Sequence, residues 1–317
     1  MLIVGPNLTV DRMIGVDRFD LGHIHRADRV ETWIGGGGAN AARAARRLGA
    51  RAHLITLLPP GNAADVVEAL AHFEVSVEWV PCRGNLRVAT ILREEEGRMS
   101  ILHEPGPQVT ATEWEEFERR VVARINRGEA LLCSGSLPPG APVNGYARLA
   151  HEARHAGARC LIDVGGAPLA ALLEDGVGLI TPNLTEAESL LYGARGEPVH
   201  AEETSERARA AANGLLRAGA TRAVVTAGAA GAAYAEQGPG GRSGWVVAPD
   251  VVGRNPIGAG DAFAAGLGLR LEAGAPLDDA VAFAVAVAAA HVESLNGDFS
   301  LGRADELLGT PAPDPAA

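Results

Sequence analysis

The chain has 317 residues, 47% of them hydrophobic, which suffices for one large domain or for a domain with a small appendage. Its formal net charge of −11 repels phosphate backbones and argues against a nucleic-acid partner. The three cysteines, Cys82, Cys133 and Cys160, lie far apart, which fits a reducing compartment and neither a disulfide framework nor a zinc site.

Short apolar runs alternate along the chain with longer amphipathic or Ala-rich segments. The predicted strands lie at residues 2–4, 52–58, 130–135, 160–165, 179–183 and 223–228. The predicted helices lie near residues 38–49, 63–73, 112–127, 144–156, 204–218, 259–273 and 277–294. This alternation predicts an α/β fold in which helices cover both faces of a parallel sheet. Ligands of such sheets bind beyond the carboxyl ends of the strands, so residues that follow the strands are candidates for a site.

Two stretches and the end of the chain depart from this alternation. Residues 10–34 and 83–104 alternate polar and apolar side chains, which is typical of half-exposed antiparallel strands. We expect them to form a small separate sheet that acts as a lid. Residues 310–317 are rich in proline and alanine, and we expect them to form a disordered tail.

No segment of the sequence has the length and apolarity that membrane insertion needs. The N-terminal apolar run is too short for a signal peptide and lacks a basic start. The longest apolar run, at residues 280–290, is too short to cross a bilayer and is typical of a buried helix. We therefore expect a cytoplasmic protein with no membrane partner.

Two glycine-containing segments are the first candidates for a binding site. GGGGAN at residues 35–40 opens a predicted helix, and its glycines allow close approach of a ligand to the backbone, although a flexible turn is the alternative. Position 40 is asparagine, so the motif lacks the third glycine of the dinucleotide fingerprint. SGSLPPG at residues 134–140 follows a predicted strand and fits a shaped binding loop or a tight structural turn equally well.

The segment TPNLTEAE at residues 181–188 also follows a predicted strand. Asn183 and Glu186 share a face if the segment is helical. One amide oxygen and one carboxylate suit a hydrated Mg²⁺, which needs few protein ligands. The alternative is a helix N-terminus capped by Thr185, with Glu188 at the third helical position, and both interpretations can hold.

The stretch RNPIGAGDAFAAG at residues 254–266 places one carboxylate, Asp261, after a turn of small residues. Gly258, Ala259 and Gly260 leave their amides unobstructed at the start of a predicted helix, where anions are attracted. Beside a bound phosphoryl group, Asp261 is placed to accept the proton of a substrate hydroxyl that attacks phosphorus in line. The alternative is a helix-capping aspartate, which the small residues on both sides disfavour.

These motifs together resemble those of the ribokinase-like (PfkB) carbohydrate kinases. GGGGANAARAARRLG resembles the N-terminal signature of the family, NPIGAGDAFAAG its C-terminal signature, and TPNLTEAE its Asn-x-x-Glu motif. The resemblance implies one kinase domain over residues 1–309, with a doubly wound, mainly parallel sheet and lid strands inserted from about 10–34 and 83–104. It also implies ATP and Mg²⁺ as cofactors and a homodimer formed through the lid, and it leaves activation by a monovalent cation open.

Within the family, SGSLPPG, EPGP at residues 104–107 and the N-terminal NLTVD are similar to the branch that phosphorylates sugar phosphates. That branch includes 1-phosphofructokinase, tagatose-6-phosphate kinase and the minor 6-phosphofructokinase. The implied substrates are fructose 1-phosphate, fructose 6-phosphate and tagatose 6-phosphate. Two departures, Gly37 and Ile101, replace basic residues of some relatives and leave an unphosphorylated sugar or a nucleoside as the alternative substrate. A catalytically silent sugar- or nucleotide-binding protein is a further alternative, which the intact Asp261 disfavours.

The resemblance also implies roles for individual residues. Asp261 is the implied general base, and Gly258, Ala259 and Gly260 form the implied anion hole. The implied sugar site comprises Asp11, Gly36, Gly37, Asn40 and Arg83, with Arg26, Arg87 and Arg98 as further basic candidates. The implied nucleotide site comprises Asn183, Thr226, Gly228, Gly231 and Asn296. Asn183, Glu186 and Asp163 are implied to position Mg²⁺ through water molecules.

Overall fold

Strands and helices alternate in the computed structural model of the chain, which describes residues 1–176, 178–193, 201–238 and 240–309. Its strands are β1 Leu2–Val4, β2 Thr9–Val16, β3 Arg29–Gly35, β4 His53–Leu58, β5 Ser76–Pro81, β6 Arg87–Glu94, β7 Met99–His103, β8 Ala130–Ser134, β9 Arg159–Asp163, β10 Leu179–Ile180, β11 Arg222–Thr226, β12 Gly231–Glu236 and β13 Ser243–Val247. Its helices are α1 Gly37–Arg47, α2 Pro60–Ala71, α3 Ala111–Arg124, α4 Gly145–Ala156, α5 Gly166–Asp175, α6 Leu184–Tyr192, α7 Ala201–Arg217, α8 Ala259–Glu272, α9 Leu277–Glu293 and α10 Leu301–Leu308.

The larger sheet has nine strands in the order β13–β12–β11–β10–β9–β8–β1–β4–β5. Neighbours from β11 to β5 pair in parallel, whereas β12 and β13 add an antiparallel edge that the sequence patterns did not predict. Alternate side chains of the strands enter different cores, because successive residues of a strand point to opposite faces. Ile3 packs with α1, α8 and α9, whereas Leu2 and Val4 pack with α3, α4 and α7. The predicted α/β fold with helices on both faces is confirmed.

Helices α8 and α9 pack closely because their facing residues are small. A Cβ added to Gly266 on α8 would lie 3.0 Å from the Val287 side chain on α9. The apolar run at residues 280–290 belongs to α9 and is largely buried, as its composition predicted. Within the described ranges, no helix combines the length and the apolarity needed to cross a bilayer.

The smaller sheet forms from the two stretches that were predicted to build a lid. Its four strands have the order β3–β2–β6–β7, and β2–β3 and β6–β7 pair antiparallel as expected. The two halves are joined by a parallel pairing of β2 with β6, which the prediction of antiparallel strands missed. The predicted tail at 310–317 lies outside the described residues.

Candidate active site

A cavity of about 990 Å³ opens at the carboxyl ends of β8 and β9, where the fold predicts a ligand site. Lid strands β2, β6 and β7 form part of its wall, and the loops after β8 and β9 and the first turns of α1 and α8 form the rest. Of the site candidates named from the sequence, it is lined by Asp11, Gly36, Gly37, Asn40, Arg87, Asp163, Glu186, Gly258 and Asp261.

Asp261 lies half-buried in the first turn of α8, on the wall of this cavity. Asn40 Nδ2 donates a hydrogen bond to its Oδ2 at 2.8 Å, and Ser134 Oγ donates to its Oδ1 at 3.0 Å. Burial raises the pKa of Asp261 to about 6, while both hydrogen bonds and the charge of Arg43 oppose that rise. An ionised carboxylate has further lone pairs, so Asp261 can still accept a proton from a ligand hydroxyl.

Asp163, the last residue of β9, is the second carboxyl group of the cavity. Thr181 Oγ1 donates to its Oδ1 at 3.1 Å, and Ser134 Oγ lies 3.5 Å from its Oδ2. The Ser134 hydroxyl therefore lies between the carboxyl groups of Asp163 and Asp261. Burial, and after it the negative charge of Asp261, raises the pKa of Asp163 well above its ordinary value. A bound cation would relieve this repulsion.

Of the three residues predicted to form an anion hole before Asp261, Gly258 lines the cavity, whereas Ala259 and Gly260 do not. Gly258 has a φ of 82°, in the left-handed region that favours glycine, and its Cα carries no side chain to cover the turn. The amide of Ala259 donates to the Pro256 carbonyl at 3.3 Å, so it is already partly satisfied. The amides of Gly258 and Gly260 have no acceptor among the described residues. A Cβ added to Gly260 would meet nothing within 4 Å, so the space beside this amide is open.

The glycine-rich start of α1 packs directly against the SGSLPPG loop. A Cβ added to Gly37 would lie 2.4 Å from Ser134 Oγ and 2.7 Å from the Gly135 nitrogen. Gly36 has a φ of 90° and also lines the cavity. Both segments therefore form the cavity wall, and in this chain the close contact at position 37 leaves no room for a Cβ.

Asp11 and Arg87 project from the lid into the same cavity. Burial raises the pKa of Asp11, although a hydrogen bond from Thr9 and the positive charge of Arg43 act to lower it. Arg87 is half-buried and donates to the Asn7 carbonyl at 3.0 Å, while its Nε is buried and has no partner among the described residues. Arg87 thus lines the cavity as a residue, while its Nε is sealed from solvent.

The structure does not bring the predicted residue Arg83 to the cavity. Arg83 is exposed in the turn between β5 and β6, and it does not belong to the cavity wall. Arg87 occupies the wall because it is the first residue of β6, four positions further along. His103, on the neighbouring strand β7, lines the cavity as well, and sequence reasoning did not assign it.

Asn183 and Glu186 form a reciprocal capping box at the start of α6. The Glu186 amide donates to Asn183 Oδ1 at 2.9 Å, and the Asn183 amide donates to Glu186 Oε2 at 3.0 Å. The cap is therefore Asn183, and the expected cap Thr185 lies two positions too late. Glu186 lines the cavity, whereas Asn183 does not.

The carboxylates of Asp163 and Glu186 fit a hydrated divalent cation. Both line the cavity, and the charge of Glu186 contributes to the raised pKa of Asp163. In the described part of the chain, no group of three or more Asp, Glu, His or Cys side chains is arranged to hold a metal ion. Mg²⁺ suits such a sparse set, because it retains several of its water molecules.

The remaining predicted nucleotide residues lie outside this cavity. Thr226 pairs with Asn183, and its amide donates to the Pro182 carbonyl at 3.1 Å, so it adjoins the start of α6. Gly228 begins an exposed 3-10 turn, and a Cβ added to Gly231 would lie 1.9 Å from the Val246 carbonyl oxygen. Asn296 lines a different cavity of about 690 Å³, which neither Thr226 nor Gly228 contributes to.

Comparison with known proteins decides the family. The family model described as "pfkB family carbohydrate kinase" matches residues 6–302 of the chain.

This chain belongs to the pfkB family of carbohydrate kinases.

Individual relatives agree with this assignment. The chain is 33% identical over 264 residues to ATP-dependent 6-phosphofructokinase isozyme 2 of Escherichia coli strain K12, covering 81% of this chain and 80% of the relative. It is 31% identical over 287 residues to 1-phosphofructokinase of Xanthomonas campestris pv. campestris, and the match covers 88% of this chain and 85% of the relative. The crystal structure of phosphofructokinase-2 from Escherichia coli in complex with fructose-6-phosphate has a TM-score of 0.84 at 27% identity, with 97% of both chains covered. The predicted family is confirmed, and the protein is an ATP-dependent carbohydrate kinase.

For such a kinase, the raised pKa of Asp261 predicts an acid limb in the pH profile. A base must be deprotonated to act, so kcat/KM should fall as the pH falls through about 6, the pKa of Asp261. The Ser134→Ala variant removes a hydrogen bond that lowers this pKa, so its acid limb should move to higher pH. Initial rates between pH 5 and 9 measure the limb.

The Ser136→Ala variant is the matched control. Ser136 lies in the same loop and accepts from Asn7 Nδ2 at 3.0 Å, and it makes no contact with Asp261. Its acid limb should stay in place. A limb that is identical in the wild type and in Ser134→Ala would arise from ionisation of the substrate and not from Asp261.

Proposed function

We propose that the enzyme transfers the γ-phosphoryl group of ATP to a hydroxyl of a sugar that already carries a phosphate. Fructose 6-phosphate, fructose 1-phosphate and tagatose 6-phosphate are the candidate substrates. One observation carries this proposal: a single cavity is lined by the carboxylate of Asp261, the α8 N-terminus and, from the lid, the guanidinium of Arg87. The named activities of the Escherichia coli and Xanthomonas relatives support it.

In the proposed reaction, Asp261 accepts the proton of the substrate hydroxyl as its oxygen attacks the γ-phosphorus. The bond from the γ-phosphorus to the oxygen that joins it to the β-phosphorus of ATP breaks, and that oxygen keeps the electron pair as a terminal oxygen of ADP. The free amides of Gly258 and Gly260 stabilise the phosphoryl oxygens by donating hydrogen bonds. Asp163 and Glu186 would hold Mg²⁺ through water, and the ion would offset the phosphate charge. Asp11 and Asn40 would orient the sugar hydroxyls.

Arg87 is proposed to bind the phosphate that the sugar already carries. A guanidinium can grip phosphate through two parallel hydrogen bonds, and Arg87 lines the cavity from the first residue of β6. His103 lines the same wall and can donate a further hydrogen bond. Arg87 and His103 thus offer polar groups to the substrate's phosphate, which the cavity residues Gly37 and Ile101 cannot do.

The Arg87→Met variant tests this assignment in an ATP-consumption assay with Mg²⁺. Loss of a hydrogen bond to a charged group should lower kcat/KM for the preferred sugar phosphate by about 10- to 100-fold. Turnover of unphosphorylated sugars should change little. The Arg83→Met variant is the control, because Arg83 is exposed and lies outside the cavity, and it should behave as the wild type.

The same assay distinguishes the alternatives when its panel also contains ribose, fructose, adenosine and ketodeoxygluconate. Ile101 favours a neutral substrate, because its apolar side chain is 44% exposed and lines the cavity. Turnover of a neutral substrate alone would select that alternative. Binding of sugar and ATP without any turnover would select the silent binding protein.

The outer face of the lid supports the predicted homodimer. Val30 and Leu102 pair across their strands with Ile14 and Thr90, so they lie on the lid face opposite to Asp11. Val30 is 48% exposed and Leu102 is 60% exposed. Val30 lies on one edge strand of the lid and Leu102 on the opposite edge strand, so each edge of this face offers an exposed apolar side chain to a second copy. We infer that two copies associate through their lids, each copy acting as one kinase domain over residues 1–309.

A further inference from the structure

Arg43 is a cation of α1 that the reaction described above does not use. It is half-buried, and it donates from its two terminal nitrogens to the Ile34 carbonyl at 2.5 Å and to Asn40 Oδ1 at 2.6 Å. Among the described residues, no carboxylate lies within ion-pair distance of it. Loss of surrounding water lowers the pKa of Arg43 to about 10, although the negative charges of Asp11 and Asp261 act to raise it. The guanidinium therefore stays charged near neutral pH.

The contact with Asn40 determines which way the Asn40 amide points. A guanidinium can only donate hydrogen bonds, so it must face the amide oxygen. The amide nitrogen then faces the opposite direction, where it donates to Asp261 Oδ2 at 2.8 Å. Rotation of the amide by 180° would bring two oxygens together at Asp261 and two donors together at Arg43. Arg43 therefore selects the productive orientation.

A second contact connects the lid to this pair. The Ile34 carbonyl belongs to β3, the lid strand that leads into the glycines before α1. One guanidinium thus bonds the lid strand and Asn40, and Asn40 bonds α8 through Asp261.

We propose that Arg43 is a positioning residue for phosphoryl transfer, which acts by orienting Asn40 toward Asp261 and by fixing β3 to α1. The proposal rests on the proposed role of Asp261. It predicts that Arg43 and Asn40 work as one unit, so the effects of removing them do not multiply.

A double-variant cycle tests this unit. Arg43→Met and Asn40→Ala should each lower kcat by about 10- to 100-fold, since a small misplacement of a reacting group has effects of this size. The double variant should be no slower than the slower single variant, and KM for ATP should stay within about threefold of wild type. Arg43→Lys retains a donor and should recover part of the loss, and it replaces Arg43→Met if that variant does not fold.

Arg46→Met is the matched control on the same helix. Arg46 bonds the Ala50 carbonyl at 2.8 Å and pairs with Glu74, away from the cavity, so its loss should leave kcat unchanged. The proposal is overturned if the reductions in kcat caused by Arg43→Met and Asn40→Ala multiply in the double variant. It is also overturned if Arg43→Met lowers the melting temperature and leaves kcat unchanged, which is the behaviour allowed for the control Arg46→Met.

A measurement without turnover separates this proposal from the proposed function. The side-chain amide signal of Asn40 in a proton–nitrogen NMR spectrum is identified by its loss in Asn40→Ala. Arg43→Met should shift or broaden it, and Arg46→Met should not. An unmoved signal in Arg43→Met overturns the proposal, whatever the substrate proves to be. Absence of turnover by the wild type, together with the expected shift, contradicts only the proposed function.

Discussion

Replacing Asp261 by asparagine should lower kcat by about two to four orders of magnitude and leave the binding of ATP and sugar nearly unchanged. The amide has the shape of the carboxylate and can keep hydrogen bonds with Asn40 and Ser134, so the cavity retains its form. It cannot accept the proton of the substrate hydroxyl. The loss should therefore appear in kcat and not in the dissociation constants, which calorimetry measures independently of turnover.

The Asp279→Asn variant is the control for this substitution. Asp279 lies in the first turn of α9, as Asp261 lies in the first turn of α8, and it is exposed. Both variants lose a charge that favours a helix N-terminus. If Asp261→Asn reduced only stability, and by no more than Asp279→Asn, then Asp261 would be a capping residue and the assigned base would be wrong.

Replacing Gly37 by alanine should lower kcat/KM by at least about 100-fold. The added Cβ would lie 2.4 Å from Ser134 Oγ and 2.7 Å from the Gly135 nitrogen, closer than carbon atoms approach such groups. The loop cannot easily yield, because Tyr146 donates to the Gly135 carbonyl at 2.9 Å and the Gly135 amide donates to the Asp163 carbonyl at 3.3 Å. The start of α1 must then move away from Ser134 and Asp261.

The Gly61→Ala variant provides the comparison. Gly61 lies in the first turn of α2, and a Cβ added there would meet nothing within 4 Å. It should leave kcat unchanged and keep the melting temperature or raise it slightly, because alanine favours helix. Wild-type activity in Gly37→Ala would show that the loop after β8 gives way freely and that contact at position 37 does not organise the site.

The sequence by itself determined most elements of the fold and singled out Asp261 as the proposed base. Side-chain periodicity is a local property, so most of the parallel strands and helices and the two lid stretches could be predicted from neighbouring residues, whereas β5, α5 and α10 were missed. The carboxyl-end rule then pointed to the loop that begins at Ser134. The turn of small residues at a helix start pointed to Asp261, and the family resemblance pointed to Asp163. These residues do line one cavity.

Only the tertiary structure decided which distant residues meet. The parallel pairing of β2 with β6 joins segments that are far apart in sequence, and periodicity carries no information on such a pairing. That pairing places Arg87 opposite Thr9 at the cavity, whereas Arg83 precedes β6 and lies in the exposed turn.

The orientation of single side chains was likewise decided by packing. Asn183 was expected to bind ligand, but its side chain caps α6, and Asn296 lies in a separate cavity. Arg43 carried no signal in the sequence, because an arginine among alanines on a helix is usually a solvated surface residue. Its proposed role depends on the approach of α8 to α1, which brings Asp261 within hydrogen-bond distance of Asn40, 221 positions earlier in the chain.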